Sequence, residues 1–178
     1  MITIDDSALL IIDVQGKLAE QMHENSVLFD NLSILIQGAR LLSIPIIWVE
    51  QLPDKLGSTH SDIIQYLPGN PLPKSTFSAW GNDEIRCQIE NLNRRNWIVA
   101  GIECHVCVYQ SVCDLLKMHY NVHLVFDAVS SRKLENKELG IRVMQAAGAK
   151  LTSTEMVLFE LQHEAEGETF KQLITLVK

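Results

Sequence analysis

The sequence predicts an α/β fold in one domain spanning residues 1–178, a parallel sheet with helices on both faces. Three observations carry this. Short apolar runs alternate with longer amphipathic ones along the whole chain, the order expected of βαβ units. The apolar runs are unbroken, as in strands covered on both faces. No internal repeat, low-complexity tract or Gly/Ser-rich linker divides the chain, and its length suits a single domain.

Each element has a local reason. Ala8-Leu-Leu-Ile-Ile-Asp13 reads as a buried strand. From Val27 to Leu42, apolar residues recur at Leu28, Leu32, Leu35, Ile36, Ala39 and Leu42, steps of three and four that predict a helix. Ile44 to Val49 is the next strand, with Pro45 near its start, where a missing N–H does least harm. Glu50 to Trp80 carries Pro53, Pro68, Pro71 and Pro73 with Gly57 and Gly69, and reads as a long loop of functional type. A short helix over Ser61–Tyr66 and a short strand near Lys74 are expected to interrupt it. Asn82 to Asn93 reads as a helix capped by Asn82. Trp97–Gly101 is a strand, His105–His119 a helix, and Val122–Phe126 a strand. Glu135–Ala147 is a helix stopped by Gly148, and Lys150–Thr152 a last strand before helical patterns at the C-terminus.

Composition narrows the function. Fifteen Lys and Arg against 22 Asp and Glu give a net charge of -7, which repels phosphate backbones and speaks against nucleic-acid partners. No basic segment followed by an apolar stretch opens the chain, and the longest apolar runs fall far short of the ~20 residues of a membrane span. The expectation is a cytoplasmic protein with no membrane partner, its four cysteines Cys87, Cys104, Cys107 and Cys113 reduced.

In open parallel sheets, ligands gather at the carboxyl ends of the strands. The reactive groups that fall there are Asp13, Glu50, Gln51, Lys74, Glu103, Cys104, Cys107 and Asp127. Asp13 directly follows five apolar residues, where a carboxylate is poorly hydrated; the alternative is a helix N-cap. Cys107 falls in the first residues of a helix, where positive potential and a nearby lysine favour a thiolate; the alternative is an inert buried cysteine. Lys74, otherwise a solvated surface residue, gains interest from sharing this sheet edge. Cys104-His-Val-Cys107 is also a C-x-x-C pair with a possible redox role. A zinc site lacks a second ligand pair. Cys113 lies six residues beyond Cys107, on the opposite side of the helix; it and Cys87 are assigned to structure. No phosphate-loop or dinucleotide fingerprint occurs.

Three stretches together resemble the isochorismatase-like cysteine hydrolase family: Leu9-Leu-Ile-Ile-Asp13-Val-Gln15, Pro73-Lys74-Ser-Thr-Phe77-Ser78, and Val99-Ala-Gly101-Ile-Glu103-Cys-His-Val-Cys107-Val. Asp127-Ala-Val-Ser-Ser-Arg132 also fits. Glu50-Gln51-Leu-Pro-Asp-Lys-Leu-Gly57 is similar to the subgroup of isochorismatase domain-containing proteins and their bacterial relatives. The resemblance implies a three-layer, Rossmann-like fold with a six-stranded parallel sheet, a homo-oligomer, and no cofactor or metal. It implies Cys107 as nucleophile, Asp13 as general base and Lys74 as supporting cation. A cis peptide at Ile102–Glu103 would set backbone N–H groups near Glu103 and Cys107 as an oxyanion hole. The Asp-x-His metal motif of the nicotinamidase branch is missing; that region reads Trp48-Val-Glu50-Gln51-Leu-Pro53. A nucleophilic cysteine favours cleavage of a C–N amide-type bond in a small molecule through a thioester. Gln15, Phe77 and Trp80, with Leu52 or Leu56, are the pocket candidates. The competing readings are a vestigial binding or interaction module and a redox-responsive C-x-x-C protein. Trp97, Met118 and Tyr120 are candidates for an oligomer interface, with the core as their alternative.

Overall fold

The computed structural model describes residues 1–178. Six strands form one parallel sheet: β1 (Ser7–Ile12), β2 (Ile46–Gln51), β3 (Leu72–Lys74), β4 (Asn96–Gly101), β5 (Asn121–Val129) and β6 (Lys150–Thr152), in the order β3-β2-β1-β4-β5-β6. This is the doubly wound order, and its reversal falls between β1 and β4.

The helices are α1 (Gly16–Glu20), α2 (Asn25–Leu41), α3 (Pro53–Leu56), α4 (Ser61–Ile64), α5 (Asp83–Asn91), α6 (Tyr109–Lys117), α7 (Leu134–Ala146), α8 (Thr154–Gln162) and α9 (Gly167–Val177). The strand period of two divides the core. Leu9 and Ile11 of β1 face Leu32, Leu35 and Ile36 of α2, with Val157 of α8 and Leu173 of α9 in the same cluster. Ala8, Leu10 and Ile12 face the other way, toward Ile85 and Ile89 of α5, Val112 and Leu115 of α6 and Met144 of α7. Both faces of β1 are buried, which is why its sequence is continuously apolar.

Most expected elements lie where the sequence put them. Asn82 caps α5 as predicted, its Oδ1 accepting from Glu84 N and Ile85 N. Four differences have local causes. Strand β2 starts at Ile46, so Pro45 stands before it, though its carbonyl still accepts from Leu9 N at 2.9 Å. Strand β5 runs on to Val129, because Val129 pairs with Gly101 across a register shift. The long loop folds one extra short helix, α3, which Pro53 opens, and α1, an unexpected helix just after β1, packs beside it. The helix expected over His105–His119 is two pieces, a five-residue π-helical turn (Cys104–Val108) and then α6. Such turns recur at functional sites.

Gly101 is required by close approach. Its φ is +125°, and a Cβ there would lie 2.1 Å from Ile12 O. The missing side chain lets the ends of β1 and β4 meet, and Ile102 N donates to that same oxygen at 2.8 Å. Trp97 is wholly buried, Tyr120 is half-buried beside it, and Met118 is exposed. No helix is long and apolar enough to cross a membrane.

Candidate active site

Asp13, Lys74 and Cys107 meet at the carboxyl edge of the sheet, beside the reversal in strand order. Asp13 follows β1 at φ +54°, a left-handed conformation that Asp tolerates better than most residues. It does not cap α1, whose N-cap position is Gln15. Its Oδ2 accepts from Lys74 Nζ at 2.6 Å. Lys74 closes β3 and is buried. Its ammonium also donates to Gln51 Oε1 at 2.7 Å and to the carbonyls of Thr76 and Phe77, both at 3.1 Å. Asp13 Oδ1 has no well-formed hydrogen bond, and the Cys107 thiol is close enough to bias the carboxylate's titration.

Burial raises the Asp13 pKa, outweighing the lowering by Lys74. The Cys107 thiol is pushed up to about 12, first by burial and then by the Asp13 charge, with Lys74 pulling the other way. This corrects the sequence expectation of a helix-stabilised thiolate. The sulfur is buried beside a carboxylate, and those two effects exceed the field at a helix start. Burial and the Asp13 carboxylate thus both favour the thiol form of Cys107.

The turn that carries Cys107 is braced from both sides. Ser111 Oγ donates to Cys107 O at 2.7 Å and accepts from Ala79 N at 2.9 Å, linking α6 to the loop that follows Lys74. Cys104 N donates to Ser130 O at 2.8 Å, tying the turn to the end of β5. Helix α7 packs directly on it: a Cβ on Gly140 would stand 3.0 Å from Cys104 O. The Ile102–Glu103 peptide is cis, as the resemblance implies. The amides of Ile102 and Cys104 are committed to Ile12 O and Ser130 O, while Glu103 N–H has no acceptor.

A cavity of about 270 Å³ opens onto these groups. Asp13, Gln51, Ile102, Glu103 and Cys107 line its reactive end. Leu18, Leu56, Phe77 and Val106 supply apolar wall, and Arg132 stands among them. Phe77 is 55% exposed, so it borders the opening.

Two pocket candidates fall elsewhere. The Gln15 side chain is tied to the backbone of Gln51 (from N at 2.6 Å, to O at 3.1 Å) and to Gly57 O at 2.7 Å. It joins loops behind the cavity and does not line it. Trp80 packs edge-on against Tyr120 at 5.8 Å, and Tyr120 against Trp97 at 6.3 Å, near the amino ends of β4 and β5. Leu56 lines the cavity and Leu52 does not. Asp127 is also withdrawn: its Oδ1 caps α8 through Thr154 N and Oγ1 at 2.9 and 3.0 Å. Glu50 Oε1 is committed to Thr59 N and Oγ1 at 2.6 and 2.8 Å. No three His, Cys, Asp or Glu side chains converge to hold a metal.

The other cysteines separate. Cys104 is buried, with its thiol pushed up to about 12 by burial and its Sγ 3.6 Å from Lys137 O. It faces α7, whereas Cys107 faces Asp13. Cys113 is half-buried. Cys87, expected to be structural, is exposed on α5.

Sequence reasoning missed Arg132 as a wall residue. Its Nε donates to Glu103 Oε1, and Glu103 Oε2 lies 3.5 Å from His105 Nδ1. The available signal was its position just past the end of β5, at the same edge as the other groups. Gln51 was noted at the end of β2, but its hold on Lys74 was not legible.

The isochorismatase domain model matches residues 7–156. Isochorismatase family protein 1B of Dictyostelium discoideum is 31% identical over 179 aligned residues, 98% of this chain and 87% of that protein. Among solved structures, one described as the MAR1 ribonuclease of Caenorhabditis elegans is 35% identical, with a TM-score of 0.92 over 99% of this chain and 91% of that one. The Escherichia coli YcaC product, described as an octameric hydrolase of unknown specificity, superposes with a TM-score of 0.92 over 98% of this chain and 89% of that one. At 20% identity it shows the fold alone. Matching model, similar sequence and shared architecture together make this chain a member of the isochorismatase family, carrying its hydrolase fold.

Proposed function

We propose that the chain is a cysteine hydrolase that cleaves a C–N amide-type bond of a small molecule through a Cys107 thioester. The observation that carries this is the buried 2.6 Å Lys74–Asp13 pair with the Cys107 thiol beside the carboxylate. Burial and the Asp13 charge raise the Cys107 thiol, which favours loss of its proton to the neighbouring carboxylate as the bond to carbon forms. Asp13 takes that proton while Sγ attacks the carbonyl carbon. Glu103 N–H, which has no other acceptor, and the backbone near Cys107 receive the developing oxyanion. The tetrahedral adduct expels the amine, which takes the proton back from Asp13. Water then attacks the thioester, Asp13 accepts its proton, and collapse releases the acid and returns the proton to sulfur. The balance is amide plus water giving acid plus amine. The Lys74 hydrogen bond to Asp13 Oδ2 opposes the rise that burial gives the Asp13 pKa, which leaves the carboxyl able to return the proton.

The C. elegans relative's description as a ribonuclease raises RNA as a substrate. A net charge of -7 and a small cavity with a single arginine in its wall argue for a small molecule instead. The reading includes a reducing cytoplasmic setting, supported by four free cysteines. It also includes self-association, supported by exposed apolar side chains such as Met118, Leu139 and Met156 and checked by light scattering.

The test is ammonia release from a panel of small amides, with an RNA arm in parallel. Wild type and Cys104→Ala release ammonia, Cys107→Ala does not, and none of the three cuts RNA. Release that survives in Cys107→Ala but is lost in Cys104→Ala refutes the assignment, and Cys107-dependent RNA cleavage replaces it.

A further inference from the structure

The cavity is lined by apolar side chains, two carboxylates, a thiol and one cation. That cation is Arg132. Its Nε is held by Glu103, a carboxylate only 6% exposed, which His105 approaches from the other side. The Arg132 side chain is itself 58% exposed, and its Nη groups donate to no protein atom. A guanidinium fixed through Nε presents its remaining N–H fork in one orientation, the geometry that binds a carboxylate through two parallel hydrogen bonds. The other side-chain donors nearby are occupied. Lys74 Nζ serves four oxygens, and the Gln51 amide is held on both sides, by Lys74 and by Ser75 O at 3.0 Å. Leu18, Leu56, Phe77 and Val106 offer no polar group. Asp13 repels an anion from the reactive end. An anionic tail on a substrate therefore has one cationic partner in the lining, the Arg132 fork.

We propose that Arg132 is a carboxylate-binding specificity residue, and that the substrate is a short amide whose acyl portion carries a carboxylate. This rests on reading Cys107 as the nucleophile of an amide hydrolase. Glu103 is then a positioning residue, which orients the guanidinium and lends the backbone N–H beside it to the reacting carbonyl.

Two measurements separate this proposal from the reading beneath it. Binding is followed in Cys107→Ala, which lacks the nucleophile, by thermal shift with matched pairs: malonamate against propionamide, succinamate against butyramide, glutaramate against valeramide. At least one carboxylated member should stabilise the chain at concentrations about 10-fold or more below its neutral partner. Adding Arg132→Gln should erase the difference, and Arg132→Lys should keep part of it. The glutamine retains a donor toward Glu103. If it unfolds the chain, the Glu103→Gln/Arg132→Gln pair removes the buried charge and serves in its place. Equal binding of charged and neutral members, binding by neither, or a preference that survives Arg132→Gln overturns the proposal. The best-binding amide is then given to wild type. Binding through Arg132 without hydrolysis refutes the hydrolase and leaves the anion site. Hydrolysis of neutral amides with no loss in Arg132→Gln does the reverse.

Discussion

Replacing Lys74 by methionine isolates what the buried ion pair contributes. Methionine keeps most of the apolar stem, so packing around a wholly buried side chain is largely preserved. What is lost is an ammonium serving Asp13 Oδ2, Gln51 Oε1 and two carbonyls. Removing one partner of a buried pair leaves the other charge uncompensated and costs about 3–5 kcal/mol. The neutral acceptors fall within that range, since Gln51 and the loop can turn to water. For a chain of this size each kcal/mol moves Tm by about 2–4 °C, so a drop of roughly 6–20 °C is expected. The partner variant is Asp13→Asn, because asparagine also tolerates the φ of +54° at that position. In Asp13→Asn/Lys74→Met no charge is left to strand, and the pair should recover at least ~1 kcal/mol relative to Lys74→Met alone. The assay is equilibrium urea denaturation of the four chains at constant pH, followed by tryptophan fluorescence. A loss below ~1 kcal/mol for Lys74→Met, or a double variant no more stable than that single one, refutes the claim that the lysine is held by the Asp13 charge.

Asp13 must be ionised to accept the thiol proton, and burial raises its pKa above 3.8 despite Lys74. The acid limb of kcat/KM should therefore lie above the ordinary carboxylate range, with activity rising as pH climbs through it; Lys74→Met removes the lowering influence and should move the limb to higher pH. Gly101→Ala puts a Cβ 2.1 Å from Ile12 O in a conformation that costs a side chain about 1–3 kcal/mol before any clash is counted. It should abolish ammonia release and lower Tm by several degrees, and a variant with wild-type values would show that β1 and β4 need not meet there.

The sheet was legible because burial on both faces writes unbroken apolar runs such as Ala8–Ile12, a signal that local turns cannot mimic. Asp13 and Lys74 were legible because each is a charged residue at the end of a strand, and Cys107 because it falls in the turn that follows one; topology brings such positions to a common edge. What escaped depends on where a side chain turns after its strand or helix ends. Trp80 and Gln15 have the right chemistry for a pocket wall, but Trp80 packs edge-on against Tyr120, and Gln15 is captured by Gln51 and Gly57. Arg132 lay at the right edge but was not singled out, because its pairing with Glu103 joins segments 29 residues apart. The state of the Cys107 thiol escaped for a similar reason. Helix position is a local property, while burial and the Asp13 charge come from the packed sheet.

The sheet's margins constrain how copies of this chain can associate. Strands β3 and β6, which end the sheet, are three residues long, and β3 has Pro73 at its centre, with no N–H to offer. Short margins interrupted by proline are poor templates for a strand from another molecule. The β3 margin in particular disfavours joining two sheets edge to edge. Higher assembly is favoured instead on helical surfaces, where Leu139 and Val143 of α7 stand exposed on the helix whose Gly140 packs against the Cys107 turn. A neighbour docking on α7 would press on the helix that packs against the Cys104–Val108 turn.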